Sequence, residues 1–501
     1  MISRRAFLAG LGVLPIPLAL AGASVADTPF SHDTVIERAR ALAQGSYTPR
    51  ATVPEDWINL TYDQYRKIWF RNADALWSGT DRPYNVDFFH PGLYFPRPVE
   101  VNTVTDGMAE VFPFDYSLFD TTDKVPPLTV DDSLGYSGLR LRTQMGQPGI
   151  KEEFAVFQGA SYFRAIGAGQ IYGLSARGLA LKTAEPSGEE FPDFVAFWLE
   201  APAPEQRHFV LHALLDSPSV TGAYRFTITP GADCVMDVEA TLFAREDLTH
   251  VGLAPLTSMF KFDETNRQRF NDFRPAVHDT DGLMILNGAG EVLWRPLANP
   301  RHLQISGFVD QSPRGFGLMQ RARRQSHFAD LEALYHRRPG LWVEPKGDWG
   351  RGSVTLVEIP TDKEIYDNIV AYWRPAEPVP AGDAMRLAYR LTWGAEAPVE
   401  TGLPRVINTR MGNDAFNPGI IAAIDFEAHP LFDEGPEGLS LHIQSAQADT
   451  TPGILQRNPE TGGLRLSFRF DPGDASVVEL RAQLRKTGAM ASEVWLYRWT
   501  A

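Results

Sequence analysis

One cysteine is all that 501 residues contain. Cys234, in "PGADCVMDVEATLF", has no partner for an intramolecular disulfide and no neighbours at metal-ligand spacing. The fold must therefore be held by core packing, with Cys234 serving as a small buried hydrophobe. Basic residues are also in short supply. Against 62 Asp and Glu stand 47 Lys and Arg, and the net charge of −15 opposes attraction to a polyanion and argues against a nucleic-acid partner. Beyond residue 26 no apolar run approaches the ~18 residues that a membrane-spanning helix requires, so the mature chain is expected to be soluble, without stable insertion in a bilayer. Short internal repeats and low-complexity tracts are missing too, which leaves no sign of a repeat array.

The long apolar run that is present lies at the start. "MISRRAFLAGLGVLPIPLALAGASVA" (1–26) has a basic head, an apolar stretch from Ala6 to about Ala21 and a small-residue cleavage site ahead of Asp27. "SRRAFL" is similar to a twin-arginine signal, in which Arg4 and Arg5 are read by a receptor. The alternative is a general secretory signal with two adjacent arginines. Both place the mature chain outside the cytoplasm, in a bacterial periplasm.

After the leader, period-2 segments dominate: "YRFTITPG" (224–231), "VMDVEATLFAR" (235–245), "GSVTLVEIP" (352–360), "MRLAYRLTWG" (385–394), "LRLSFRFDPG" (464–473) and "SEVWLYRW" (492–499) among them. Successive side chains of a strand face opposite sides, so this alternation is what half-buried strands need. With 42 Gly and 38 Pro as punctuation, the pattern predicts a mainly β protein built of antiparallel sandwiches. Helical patterning is confined to "SHDTVIERARALAQGSY" (31–47), "TYDQYRKIWF" (61–70) and "HFADLEALYHRRP" (327–339). The proline-rich "YWRPAEPVPAGDAM" (372–385) is the best linker, and the block after it has about seven candidate strands, as an immunoglobulin-like sandwich does.

Three stretches carry chemistry. In "FRPAVHDTDGLMILNGAGEVLWRPLANPRHL" (273–303), His278, Asp279 and Asp281 crowd a turn before a strand. That grouping is either a metal cluster or, more commonly, a hydrogen-bonded turn. No other His/Asp cluster has ligand spacing, so no metal or other cofactor is expected. "FGLMQRARRQSHFADLEALYHRRPGLWVEPKGDWGRGSV" (316–354) interleaves Tyr335, Trp342 and Trp349 with Arg337, Arg338 and Arg351. Export and negative charge argue against single-stranded nucleic acid. The same side chains suit a neutral sugar polymer, with rings covering pyranose faces and charged groups bonding hydroxyls; core aromatics beside surface arginines are the bland alternative. In "VEIPTDKEIYDNIVAYW" (357–373), Thr361 and Glu364 fit a capping box for a short helical turn, which puts Glu364 and Asp367 on one face. A protonated carboxyl beside an ionised one is the equipment for glycoside hydrolysis.

At these stretches the chain resembles the periplasmic glucan biosynthesis proteins of the OpgG/OpgD (MdoG/MdoD) family, and its leader makes it look more like OpgD. The matching text is "PLTSMF" (255–260), "RPAVHDTDGL" (274–283), "GEVLWRPLANPRHLQISGF" (290–308), "RGFGLMQR" (314–321), "RRPGLWVEPKGDWGRGSVTLVEIPT" (337–361) and "DNIVAYW" (367–373). The resemblance implies a large galactose-mutarotase-like β-sandwich at 27–376, a linker at 377–384 and a smaller immunoglobulin-like β-sandwich at 385–501. It also implies a role in making osmoregulated periplasmic glucans. The ligand would be β-1,2-glucan, linear or nascent, and the activity that of an inverting endo-glucanase, with transglycosylation or noncatalytic glucan binding and assembly as alternatives. The general acid falls on Asp367 and the general base on Asp279, with Glu364 and Asp281 as the neighbouring alternatives. Tyr335, Arg338, Glu364, His278, Trp342 and Trp349 are the expected glucan-binding residues.

Overall fold

A computed structural model describes residues 28–501, and the expected leader, 1–26, lies outside the described residues. Where apolar and polar residues alternate, the chain forms antiparallel ladders. Val220–Thr229 runs against Cys234–Ala244 without a break in register, from Val220↔Ala244 to Thr229↔Val235. Two sheets dominate: one of sixteen strands and one of ten. They share a core that includes Phe157, Phe163, Phe226, Trp373 and Trp393, with Phe157 edge-on to Phe226 at 5.2 Å and Phe163 to Trp393 at 6.0 Å. Each such side chain, once buried, stabilises the fold by about 1.5–3 kcal/mol, which is how a chain without disulfides stays folded. Cys234 is itself buried in that core.

A second core lies towards the C-terminus. Ile424, Phe426, Leu466 and Phe468 of a five-stranded sheet pack against Val478, Leu480 and Trp495. The latter belong to the far end of the same sixteen-stranded sheet, which is continuous through both sandwiches. The join is a short parallel pairing, Leu293↔Val494 and Trp294↔Trp495. It is reinforced by the buried Arg321–Glu493 ion pair at 2.7 Å; Glu493 also accepts the Val406 N–H at 2.8 Å, and the Arg321 guanidinium lies 3.6 Å above the Trp294 ring. The strand after the proline-rich segment, Ala384–Gly394, is bonded on one side to Cys234–Ala244 and on the other to Gly340–Lys346. Hydrogen bonding of the large sandwich thus continues past the boundary expected at 385.

The helical expectations divide. His32–Gln44 is an α-helix that buries Val35 and Ala39, four apart, against the sheet. "TYDQYRKIWF" gives a single turn, Tyr62–Tyr65, and then a strand, Ile68–Phe70. "HFADLEALYHRRP" forms no α-helix. Asp330 captures the N–H groups of Glu332 and Ala333 at 2.8 and 2.7 Å, and Ala329 and Leu334 adopt positive φ, so a side chain has replaced the helical acceptors. The expected turn at Thr361–Glu364 is likewise not helical: Thr361 bonds locally to Lys363, while the Glu364 carboxylate reaches Arg274 instead of the Thr361 N–H, which Asn299 satisfies at 3.0 Å.

Candidate active site

Four neighbouring strands of the ten-stranded sheet form the floor: Tyr162–Ala165, Ser175–Arg177, Val251–Ser258 and Ile369–Pro375. Phe163, Ala165, Ala176, Leu256, Ala371 and Trp373 point into the main core. The alternate residues therefore occupy the opposite face, where Arg177 stands across from Tyr162 and Thr257 across from Ser175 and Val370. Arg177 is held rigidly. Its guanidinium lies 4.8 Å above the Tyr162 ring and 5.3 Å from that of Phe191, and it donates to Thr257 Oγ1 at 3.1 Å and to Glu189 at 2.5 Å.

Asp279 and Asp367 are both fixed by the two residues Met259 and Phe260. The Asp279 N–H donates to the Met259 carbonyl at 2.8 Å, and His278 is the register partner of Phe260. From the other side the buried Asn368 amide clasps Phe260, accepting from its N–H at 2.8 Å and donating to its carbonyl at 3.0 Å. The same amide donates to Ile359 O at 2.9 Å, so the backbone of Asp367 is anchored one residue from its carboxyl. Asn368 carried no sequence signal beyond its place beside the acid, and neither did Arg164 or Arg177.

Burial pushes the Asp279 carboxyl up to about 6; the Arg338 guanidinium, hydrogen-bonded to it, pulls the other way, and the Asp367 charge adds to the rise. Asp367 is also raised, by burial first, against the pull of Arg164, Arg177 and Arg338. As a residue, Asp367 is exposed. Water on its open side tempers the shift. Two acids that each resist ionisation, and that repel one another when both are ionised, favour the state in which one keeps its proton. A protonated carboxyl near an ionised one is the combination that acid/base chemistry requires.

The remaining expected residues are dispersed around this pair. Tyr335 is buried beneath Arg338, whose guanidinium lies 4.4 Å from its ring centre. Glu364 is a third exposed and paired with Arg274 at 2.5 Å. His278 is buried, stacked on Phe260 and edge-on to Phe328, where burial lowers it to about 3. Trp342 is wholly enclosed in the second core, and Trp349 packs against the main core with its ring edge-on to Tyr389. Asp281, the alternative base, spends its carboxylate on the N–H groups of Arg321 and Ala322. Strand alternation in the sequence cannot say which sheet face a tryptophan meets, and both tryptophans face inward. Among the described residues no group of three or more His, Cys, Asp or Glu is placed to hold a metal ion.

Fold and site together define a β-sandwich protein in which two carboxyl groups stand within an arginine-rich cluster. The family model described as periplasmic glucan biosynthesis protein, MdoG, matches residues 30–499, and the chain belongs to that family. It is 48% identical over 476 residues to Glucans biosynthesis protein G of Shewanella frigidimarina, a match covering 94% of this chain and 85% of that one. Glucans biosynthesis protein G of Vibrio cholerae is 47% identical, with 94% and 87% covered. Glucans biosynthesis protein G 1 of Shewanella oneidensis is 46% identical, with the same coverage. These relatives carry the name G, so the leaning towards the OpgD branch, which rested on the leader, gains nothing from them.

Proposed function

We propose that the chain acts in the periplasm on β-1,2-glucan as an inverting endo-glucanase, with Asp367 as general acid and Asp279 as general base. One observation carries the reading: both carboxyls are raised, the Asp367 charge contributes to the rise of Asp279, and a single backbone dipeptide, Met259–Phe260, anchors the segments that carry them. Asp367, on the open side, protonates the leaving glycosidic oxygen. Asp279, enclosed and turned by Arg338, draws a proton from the attacking water directly or through a hydroxyl relay, and a single displacement inverts the anomeric carbon. Arg338 borders the reacting bond with Tyr335 buried beneath it as support, and Glu364 reaches the bond only from its ion pair with Arg274. His278 and Trp342 are enclosed, so their part is to support the walls. No helix among the described residues is long and apolar enough to cross a membrane.

Incubation with linear β-1,2-glucan, with the anomer of the first product followed by NMR, tests the reading. Shortened chains of inverted configuration are expected. Turnover should fall as pH drops through about 6, because the base must be ionised, and Asp367→Asn should lower it by about 100-fold or more while glucan still binds. Transfer to a sugar acceptor would instead identify a transglycosylase, and binding without any product would leave a glucan-binding or assembly protein.

A further inference from the structure

Arg274 meets three carboxylates from three separate segments. Its Nε and Nη2 donate to Asp272 at 3.0 and 2.9 Å, its Nη1 to Asp330 at 2.8 Å and its Nη2 to Glu364 at 2.5 Å. Only 11% of its side chain is exposed. The second oxygen of Asp330 accepts the N–H groups of Glu332 and Ala333. The Ala333 carbonyl accepts from Arg338 Nη2 at 3.2 Å, and Arg338 Nη1 holds Asp279. An unbroken run of charges and hydrogen bonds therefore leads from Glu364, three residues before Asp367, to Asp279. Tyr335 stands inside this run: the charges of Glu364 and Asp279 act on its hydroxyl in one direction and those of Arg338 and Arg274 in the other.

We propose that Arg274 is the positioning residue that couples the loop of Asp367 (361–367) to the loop of Tyr335 and Arg338 (329–338), and so sets the relation of acid to base. The proposal rests on the acid and base assigned above. A guanidinium is needed because its planar fork can serve three carboxylates at once, whereas a lysine ammonium is a compact point charge. Without it, Asp272, Asp330 and Glu364 repel one another and the two loops part. A shift of about 1 Å in such a pair costs about 100-fold in rate. The segment that carries Arg274, "KFDETNRQRFNDFRP" (261–275), thereby gains a role: it brings the clamp to the two loops, its course folded back by the Phe262–Phe270 stack at 5.1 Å.

Hydrogen–deuterium exchange on the full chain, wild type against Arg274→Gln, tests the coupling. Amides in 329–338 and 361–367 should exchange about tenfold faster or more, with the strand Ile369–Pro375 unchanged; unaltered exchange in both loops overturns the proposal. On β-1,2-glucan, Arg274→Gln should lower kcat by about 10- to 100-fold with KM nearly constant. The acid limb of its pH profile should move upward, because three uncompensated carboxylates favour the protonated base. Arg274→Lys should restore the limb and not the rate. A merely structural arginine would leave both rate per folded molecule and limb in place, and that result would refute positioning. If Arg274→Gln does not fold, Glu364→Gln cuts the same run at its exposed end and should loosen 361–367 alone; exchange left unaltered there counts against the proposal. A wild type without turnover would remove the acid and base assignment, while the exchange comparison still decides whether Arg274 ties the loops.

Discussion

Replacing Asp279 by asparagine should stabilise the protein at neutral pH while removing its proposed chemistry. The folded-state value of about 6 exceeds the ordinary 3.8, and the cause is burial. The native chain therefore holds this proton more tightly than the unfolded chain does. The stability linked to it is full below about pH 4 and is lost as pH rises through about 6. Each factor of ten in proton affinity is worth about 1.4 kcal/mol, so above pH 6 the ionised carboxylate costs the native state about 3 kcal/mol, with the pairing to Arg338 already included. Asparagine keeps the shape and one acceptor oxygen for Arg338 without the charge. In urea unfolding, Asp279→Asn should exceed wild type by about 3 kcal/mol at pH 8 and by less than about 1 kcal/mol at pH 4. Every other ionisable group is common to both proteins, so the change between the two pH values reads Asp279 together with the Asp367 charge coupled to it. An equal gain at both pH values, or a loss at pH 8, would refute the enclosed position given to the base.

Glu493→Ala strands the Arg321 guanidinium, which is 5% exposed, and should cost about 3–5 kcal/mol, read as a lowered thermal midpoint. A cost below about 1 kcal/mol would mean that the junction of the two sandwiches does not depend on this pair. Cys234 is fully buried and its thiol is pushed up by burial, so a thiol reagent should label it only after unfolding; rapid labelling of the native chain would contradict its place in the core. Gly282 leaves no room for a side chain, since a Cβ there would lie 2.1 Å from the Trp294 ring. Gly282→Ala should therefore lower stability by about 1–3 kcal/mol, and an unchanged midpoint would show that the ring yields freely.

The strands were legible in the sequence because alternation is a local signal. "YRFTITPG" and "SEVWLYRW" became Val220–Thr229 and Val494–Thr500. Local signals failed where a distant partner won: Glu364 had the spacing of a cap, yet a guanidinium 90 residues earlier claims it. Asp330 defeated the helical pattern of 327–339 in the same way. For the candidate site, the resemblance singled out Asp279 and Asp367, and no periodicity would have joined them. The dipeptide that anchors both, the Asn368 clasp and the Arg274 clamp are products of three-dimensional proximity, and Trp342 looked like a sugar platform only because its strand face was unknown.

The sheet shared by the two sandwiches bears on how this protein can be cut. The proline-rich stretch looks like a natural place to end a shorter chain, but Ala384–Gly394 fills a slot between two other strands. Ending at 384 would leave Cys234–Ala244 and Gly340–Lys346 facing an empty lane of unpaired N–H and C=O groups, the kind of edge that recruits another chain. Engineering that respects the hydrogen bonding keeps residues through Gly394 with the larger piece. The smaller piece would still lack the strand Val292–Pro296 on which its own sheet is seeded. Cleavage at the apparent linker is thus a route to aggregates rather than to two working halves.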